Sequence, residues 1–211
     1  MFGPKPYERA AVWAEAEKAR GKGNRKKAVA AYRRILEHEP DDWQVHGKLA
    51  PLLVDEDPFE AWNSFEKAAQ GHLDKGFVDR ALGVYRQAMG ALPFIPEGWE
   101  KIAALYQRKG HAPDAVKALV DGQRHFWKTP EDRVVAERFL NAALSLDAWN
   151  VDATLALAQL LKRRKDVAGA VAKLDALLAH LPTSPAKKRV LRARLAVSFT
   201  LRHLWAWLRG R

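Results

Sequence analysis

The side chains best suited to acid–base or metal chemistry are the histidines His38, His46, His72, His111, His125, His180 and His203. They are scattered along the chain. None falls in a His-Glu-x-x-His pattern or in a carboxylate–histidine spacing that would hold a metal ion. The chain has no cysteine, which removes thiol nucleophiles, zinc–thiolate sites and a disulfide scaffold. The run Gly-Lys-Gly-Asn-Arg-Lys-Lys from Gly21 to Lys27 superficially resembles a phosphate cradle. It lacks the spacing of a nucleotide-binding loop and no strand precedes it, so it reads as a turn between helices. The acids Asp41-Asp42 and Asp55-Glu56-Asp57 lie beside expected helix ends, where Asp41 and Asp57 fit N-terminal caps. No catalytic, cofactor-binding or metal-binding residue is expected.

Charge and aromatic residues are the remaining chemical resources. The 36 Lys+Arg against 25 Asp+Glu give a net charge of +11. Much of the excess sits in residues 185–211, where Lys187, Lys188, Arg189, Arg192, Arg194, Arg202, Arg209 and Arg211 occur without a single acid. The rest of the chain is close to neutral, so the basic segment and the body are read separately. Lys162-Arg163-Arg164-Lys165 ends a helix, where cations complement the helix dipole. Of the 8 tryptophans, Trp99 occupies a core position, and Trp43, Trp62, Trp127 and Trp149 lie near helix ends where half-buried packing is expected. Trp13 differs: Val12, Ala16 and Ala19 account for the packed face of its helix, so Trp13 is either a binding residue facing the concave side, with Glu17 and Arg20 on the same stripe, or an ordinary packed aromatic.

The elements that must position these residues are all helical. Apolar residues recur at spacings of three and four, Ala, Leu, Lys, Arg and Glu dominate, and no stretch alternates with the period of a strand. Glycines and prolines punctuate the chain, placing helices near 7–20, 24–38, 42–54, 58–71, 76–91, 96–109, 112–126, 131–145, 150–164, 167–180 and 185–208. The start carries no signal-peptide pattern and no apolar run reaches spanning length, so a soluble, cytoplasmic chain is expected.

These helices repeat. Residues 96–128 carry Trp99, Ile102, Ala103, Tyr106, Gly110, Ala115, Leu119 and Gly122; residues 62–93 carry Phe65, Ala68, Ala69, Gly76, Ala81, Tyr85, Ala88 and Pro93. Residues 9–40 and 151–182 hold similar series. A longer period covers the chain better. Leu49, Ile102 and Leu157 align, as do Ala50, Ala103 and Ala158; Ala61, Ala115 and Ala170; and Tyr32, Tyr85 and Phe139, with Ile35, Ala88 and Ala142 beside them. The unit is three helices. A small residue lets a neighbouring helix approach and the large one a turn away fills the groove, so like segments stack.

These series resemble the tetratricopeptide repeat, and in particular bacterial multi-repeat proteins in which triplets of helices recur. The resemblance covers residues 7–182. It implies an all-α, right-handed solenoid of antiparallel helices, about 11 in number. The array would span 1–182, with units at 42–92 and 96–147, partial units at 24–40 and 150–182, and a separate basic amphipathic helix at 185–211 capping it. It also implies a non-catalytic scaffold or adaptor that takes a protein or peptide in a groove lined by first helices. By alignment, that groove adds Asn63, Glu66 and Gln70, then Glu97, Glu100 and Gln107, then Asp152, Gln159 and Lys162, to Trp13, Glu17 and Arg20. This lining is mixed and rather acidic and lacks the Lys/Asn clamp that holds a C-terminal carboxylate, so a peptide of basic character is expected.

From Pro185 onward, Val190, Val197, Leu201, Leu204, Trp205 and Leu208 share one helical face, with Lys188, Arg189, Arg192 and His203 opposite. Phe199 and Trp207 project toward the polar side. As a cap, the segment packs on the helix at 167–180. The alternatives are a peripheral contact with an anionic membrane surface or another polyanion, and an arm for a partner protein or nucleic acid. Nucleic acid is disfavoured, because the body is nearly neutral and carries no reading motif.

Overall fold

The computed structural model describes residues 7–182 and 184–198. Within them the chain forms eleven α-helices, one 3-10 turn and no strand. It divides into two compact units, residues up to Leu105 and residues from Tyr106 onward.

The first unit holds α1 (Arg9–Gly21), α2 (Arg25–Leu36), α3 (Trp43–Leu53), α4 (Pro58–Asp74), α5 (Val78–Ala91) and most of α6 (Pro96–Arg108). Consecutive helices from α1 to α5 pack on one another. Local chemistry sets their ends. Asn24 accepts a hydrogen bond from the Lys27 amide, Asp57 from those of Phe59 and Glu60, and Asp42 from those of Gln44 and Val45. The cap of α3 is therefore Asp42, not Asp41. Asp41 instead pairs with Lys67 at 3.1 Å. Between helices, Gly23 and Gly76 adopt φ values of 71° and 77°, a left-handed turn that costs a glycine no Cβ clash. Tyr85 is buried with an unpartnered hydroxyl, and burial, aided by Glu66, raises its pKa to about 12.

The second unit holds α7 (Ala112–Gly122), a 3-10 turn (Gln123–His125), α8 (Pro130–Leu146), α9 (Val151–Arg163), α10 (Val167–His180) and α11 (Pro185–Ser198). The helix expected over 112–126 thus tightens into a 3-10 turn after Gly122. Thr129 and Asp132 form a reciprocal capping box at the start of α8. Gly110 repeats the left-handed turn at φ 76°, and Lys165 does so at φ 65° where a glycine would be expected. Val190 and Val197 of α11 pack with Leu174 and Leu177 of α10 and Ala158 of α9.

The columns read from the sequence are the core. Ala28, Ala61, Ala81, Ala115 and Ala170 are all 0% exposed, and Ala50, Ala103 and Ala158 are at most 2% exposed. Such close approach is what a methyl side chain permits and a larger one forbids. Tyr32, Tyr85 and Phe139 are likewise buried. One register differs: Ala142 is exposed and Ala143 is buried. The buried stripe of α8 runs through Ala136, Phe139, Leu140 and Ala143, and Ala142 lies about 110° around the helix from its centre.

Candidate partner-binding site

Trp13 of α1 is half-buried. Its ring meets Tyr32 of α2 edge-on, centroids 5.9 Å apart, and the Arg9 guanidinium lies 5.4 Å from its centroid. One turn further, Glu17 accepts hydrogen bonds from the Tyr32 hydroxyl and from Arg20, the latter at 2.7 Å. Burial alone would raise the Glu17 pKa. Its two donors, with the positive charge of Lys48 nearby, outweigh that and hold the carboxyl below its ordinary value. Burial and the same contact push the Tyr32 hydroxyl well up.

Trp13 lines a cavity of about 380 Å³ together with Trp43, Gln44, Gly47 and Lys48 of α3, Ala68 and His72 of α4, and Val84 of α5. The spacing of 43, 44, 47 and 48 places these α3 residues on one stripe. Trp43 meets His72 edge-on, with centroids 4.6 Å apart. Close approach of α4 makes this contact: a Cβ added at Gly71 would run into the Trp43 side chain. At Gly47, by contrast, an added Cβ would lie 3.6 Å from that of Ala68, an ordinary contact, so its absence only enlarges the cavity. The His72 Nδ1 is buried without a hydrogen-bond partner. Burial, reinforced by the charge of Arg80, lowers its pKa and favours neutral imidazole.

A different histidine shows what a satisfied ring looks like. His46 donates from Nε2 to the Pro40 carbonyl at 2.9 Å, and its Nδ1 accepts from Ser64 at 3.2 Å. Burial is again the main reason its pKa is lowered. A larger cavity, about 640 Å³, lies along α1 and α2 and is lined by Ala14, Glu15, Lys18, Ala19, Lys22, Asn24 and Lys27, without an aromatic residue.

The other residues expected in the groove do not join Trp13 in its cavity. Asn63, Glu66 and Gln70 lie on the face of α4 opposite Ala68 and His72, as 100° per residue requires. Asn63 and Gln70 are exposed, and Glu66 pairs with Lys101 at 3.2 Å. On α6, Glu97 and Gln107 are exposed and Glu100 is half-buried. On α9, Asp152 receives Arg189 at 2.7 Å and Lys162 donates to the Ala196 carbonyl at 2.7 Å, so α11 engages both; Gln159 stays exposed. Of the basic segment, Lys187 donates to the Leu181 carbonyl and Arg194 pairs with Asp175. Lys188 and Arg192 are exposed. Arg202, Arg209 and Arg211, together with Phe199, Leu201, His203, Leu204, Trp205, Trp207 and Leu208, lie outside the described residues. Reading the sequence missed Trp43, Lys48 and His72 as cavity residues. The available signal was a mid-helix glycine, Gly47, on the same stripe as a tryptophan and a lysine.

Among the described residues, no group of three His, Asp or Glu side chains is placed to hold a metal ion, and no helix is long and apolar enough to cross a membrane. No family model matches the chain. Photosystem I assembly protein Ycf3 of Cyanophora paradoxa is 27% identical over 100 residues, which span 42% of this chain and 58% of that protein. The chain therefore covers less than two thirds of the length of this relative. Among solved structures, yeast Tom70 aligns over 81% of this chain and 42% of its own, at 16% identity and a TM-score of 0.35. A tetratricopeptide repeat protein from Parabacteroides merdae aligns over 89% and 86%, at 14% identity and a TM-score of 0.29. Paired antiparallel helices, buried alanine columns and recurring left-handed turns give this chain a tetratricopeptide-type repeat fold.

Proposed function

We propose that this protein is a non-catalytic scaffold that holds segments of other polypeptides, with the α1–α3 face as its principal contact. The observation that carries this reading is the aromatic cavity itself. Two indole rings and a mid-helix glycine open a recess on a face of the repeat that core packing does not require. Repeat proteins present such surfaces because stacking satisfies their cores and leaves one face for ligands. Trp13, Glu17 and Arg20, all on α1, belong to this contact. The relative from Cyanophora paradoxa is by name an assembly protein; what we extend to this chain is only the class of activity, holding other chains. Proximity labelling in the source cell, comparing wild type with a Trp13→Ala/Lys48→Glu variant, tests the reading. A set of proteins labelled by the first and lost from the second is expected. Identical labelling by both would overturn it.

A second reading rests on α11. Lys188 and Arg192 are exposed, and Leu191 and Leu195 beside them are 45% and 64% exposed, so cations and leucines share one stripe. This favours contact with an anionic lipid surface. Cutting the chain at 184 is a poor test, because it removes Val190 and Val197 from the core. Flotation with phosphatidylserine vesicles of wild type against Lys188→Glu/Arg192→Glu separates the two. Equal flotation excludes this stripe as the anchor.

A further inference from the structure

The scaffold reading leaves the chemistry of the guest open, and the charges around the cavity address it. Three of the five acids that alignment places on this surface are engaged within the fold. Glu17 is held by Tyr32 and Arg20, Glu66 by Lys101 and Asp152 by Arg189. Beside the cavity, Asp42 caps α3 and pairs with Arg9, Glu39 pairs with Arg9 at 3.0 Å, and Asp74 receives Gln70 at 2.6 Å. The cations are placed differently. Lys48 lines the cavity and is exposed. The Lys75 ammonium lies 6.0 Å from the centroid of Trp43, which also lines it, and Arg80 stands close enough to His72 to act on its charge. None of Lys48, Lys75 and Arg80 makes a salt bridge among the described residues.

Resting on the scaffold reading, we propose that the Trp13–Trp43 cavity receives an aromatic or branched apolar side chain from an acidic peptide segment, with Lys48, Lys75 and Arg80 meeting its carboxylates. The volume of about 380 Å³ suits one large side chain and the backbone next to it. The walls are the edges and faces of two indoles, the methyls of Ala68 and Val84 and the bare backbone of Gly47, so the guest's core is apolar. A basic segment would meet three exposed cations that no salt bridge among the described residues neutralises, Lys75 and Arg80 lying over the Trp43 and Phe77 rings, whereas an acidic one gains favourable long-range attraction and faster encounter. The sign is opposite to that expected from the aligned acids, because Glu17, Glu66 and Asp152 are paired within the protein and neither Glu97 nor Glu100 lines the cavity.

The test is fluorescence anisotropy on the full chain with three labelled peptides. One carries a single phenylalanine among aspartates, the second replaces that phenylalanine by alanine, and the third replaces the aspartates by lysines. The first is expected to bind, and the other two to bind about tenfold more weakly or worse. Lys48→Glu changes an exposed residue and leaves the fold intact by circular dichroism. It is expected to weaken the acidic peptide several-fold, with a reduced dependence on salt. Trp13→Leu is expected to remove the preference for phenylalanine over alanine. Stronger binding of the lysine peptide, binding indifferent to Lys48→Glu, or no binding by any peptide overturns the proposal. The scaffold reading itself falls only if proximity labelling is also unchanged by the groove variant.

Discussion

The α1–α3 face and the α9–α11 region are built from the same kind of helix pair but finish differently. At α9 and α10 a further helix arrives. Val190 and Val197 fill the apolar surface around Leu174 and Leu177, and Arg189 and the Ala196 carbonyl engage Asp152 and Lys162. At α1 and α3 the equivalent surface keeps a recess lined by Trp13, Trp43 and His72, with a ring nitrogen left unpartnered. A repeat edge becomes core when a neighbour supplies both apolar volume and polar partners. Where it is faced instead with broad rings and a glycine, it stays receptive. The difference lies in a few side chains, since the alanine columns beneath are the same.

The sharpest way to break the sealed region is Leu174→Ala. The residue is 0% exposed at the junction with α11, and its loss is expected to destabilise by about 2–5 kcal/mol, read from urea midpoints. A cost under about 1 kcal/mol would mean that α11 does not seal this core. At the open face, Gly71→Ala and Gly47→Ala form a matched pair. The first drives a methyl into Trp43 and is expected to cost about 1–3 kcal/mol. The second meets Ala68 at an ordinary distance and is expected to gain up to about 1 kcal/mol from helix propensity while narrowing the recess. Equal effects from the two would remove Trp43 from its place against α4.

Lys165→Gly is expected to stabilise the α9–α10 turn by about 1 kcal/mol, because the left-handed conformation at φ 65° penalises a side chain there and not at Gly110. The smallest effect concerns pH. His46 and His72 have folded pKa values below their ordinary 6.5, mainly through burial. The unfolded chain therefore binds more protons, so their contribution is complete above pH 6.5 and is lost as pH falls through that value toward the folded one. Urea midpoints taken between about pH 8 and pH 5 should fall at the acid end, and His46→Gln should flatten that fall.

Much of the fold is legible without coordinates. The eleven helices follow from breakers and three- and four-residue periodicity, and the buried columns from Leu49, Ile102 and Leu157 or Ala50, Ala103 and Ala158 in step. Less is legible at finer scale. Asp41 and Asp42 are chemically identical, and only the exact start of α3 makes Asp42 the cap. Ala142 and Ala143 differ by one position, and only the orientation of α8 buries the second. The candidate site was the least legible. Trp13 stands out in the sequence because Val12, Ala16 and Ala19 already account for the packed face of its helix, whereas Trp43 and His72 come from other helices and read singly as ordinary packing.

By itself, the sequence determined what depends on residues within a turn or two of each other: helix positions, the small-and-large columns, the turn glycines and the uneven charge. Hydrogen bonds four residues apart and a period of 3.6 make these local properties. The tertiary structure alone decided which faces meet, that Glu17, Glu66 and Asp152 are spent on internal partners, and that α1, α3, α4 and α5 each give a residue to one recess. Those outcomes depend on contacts between side chains tens of residues apart, whose geometry no local pattern encodes.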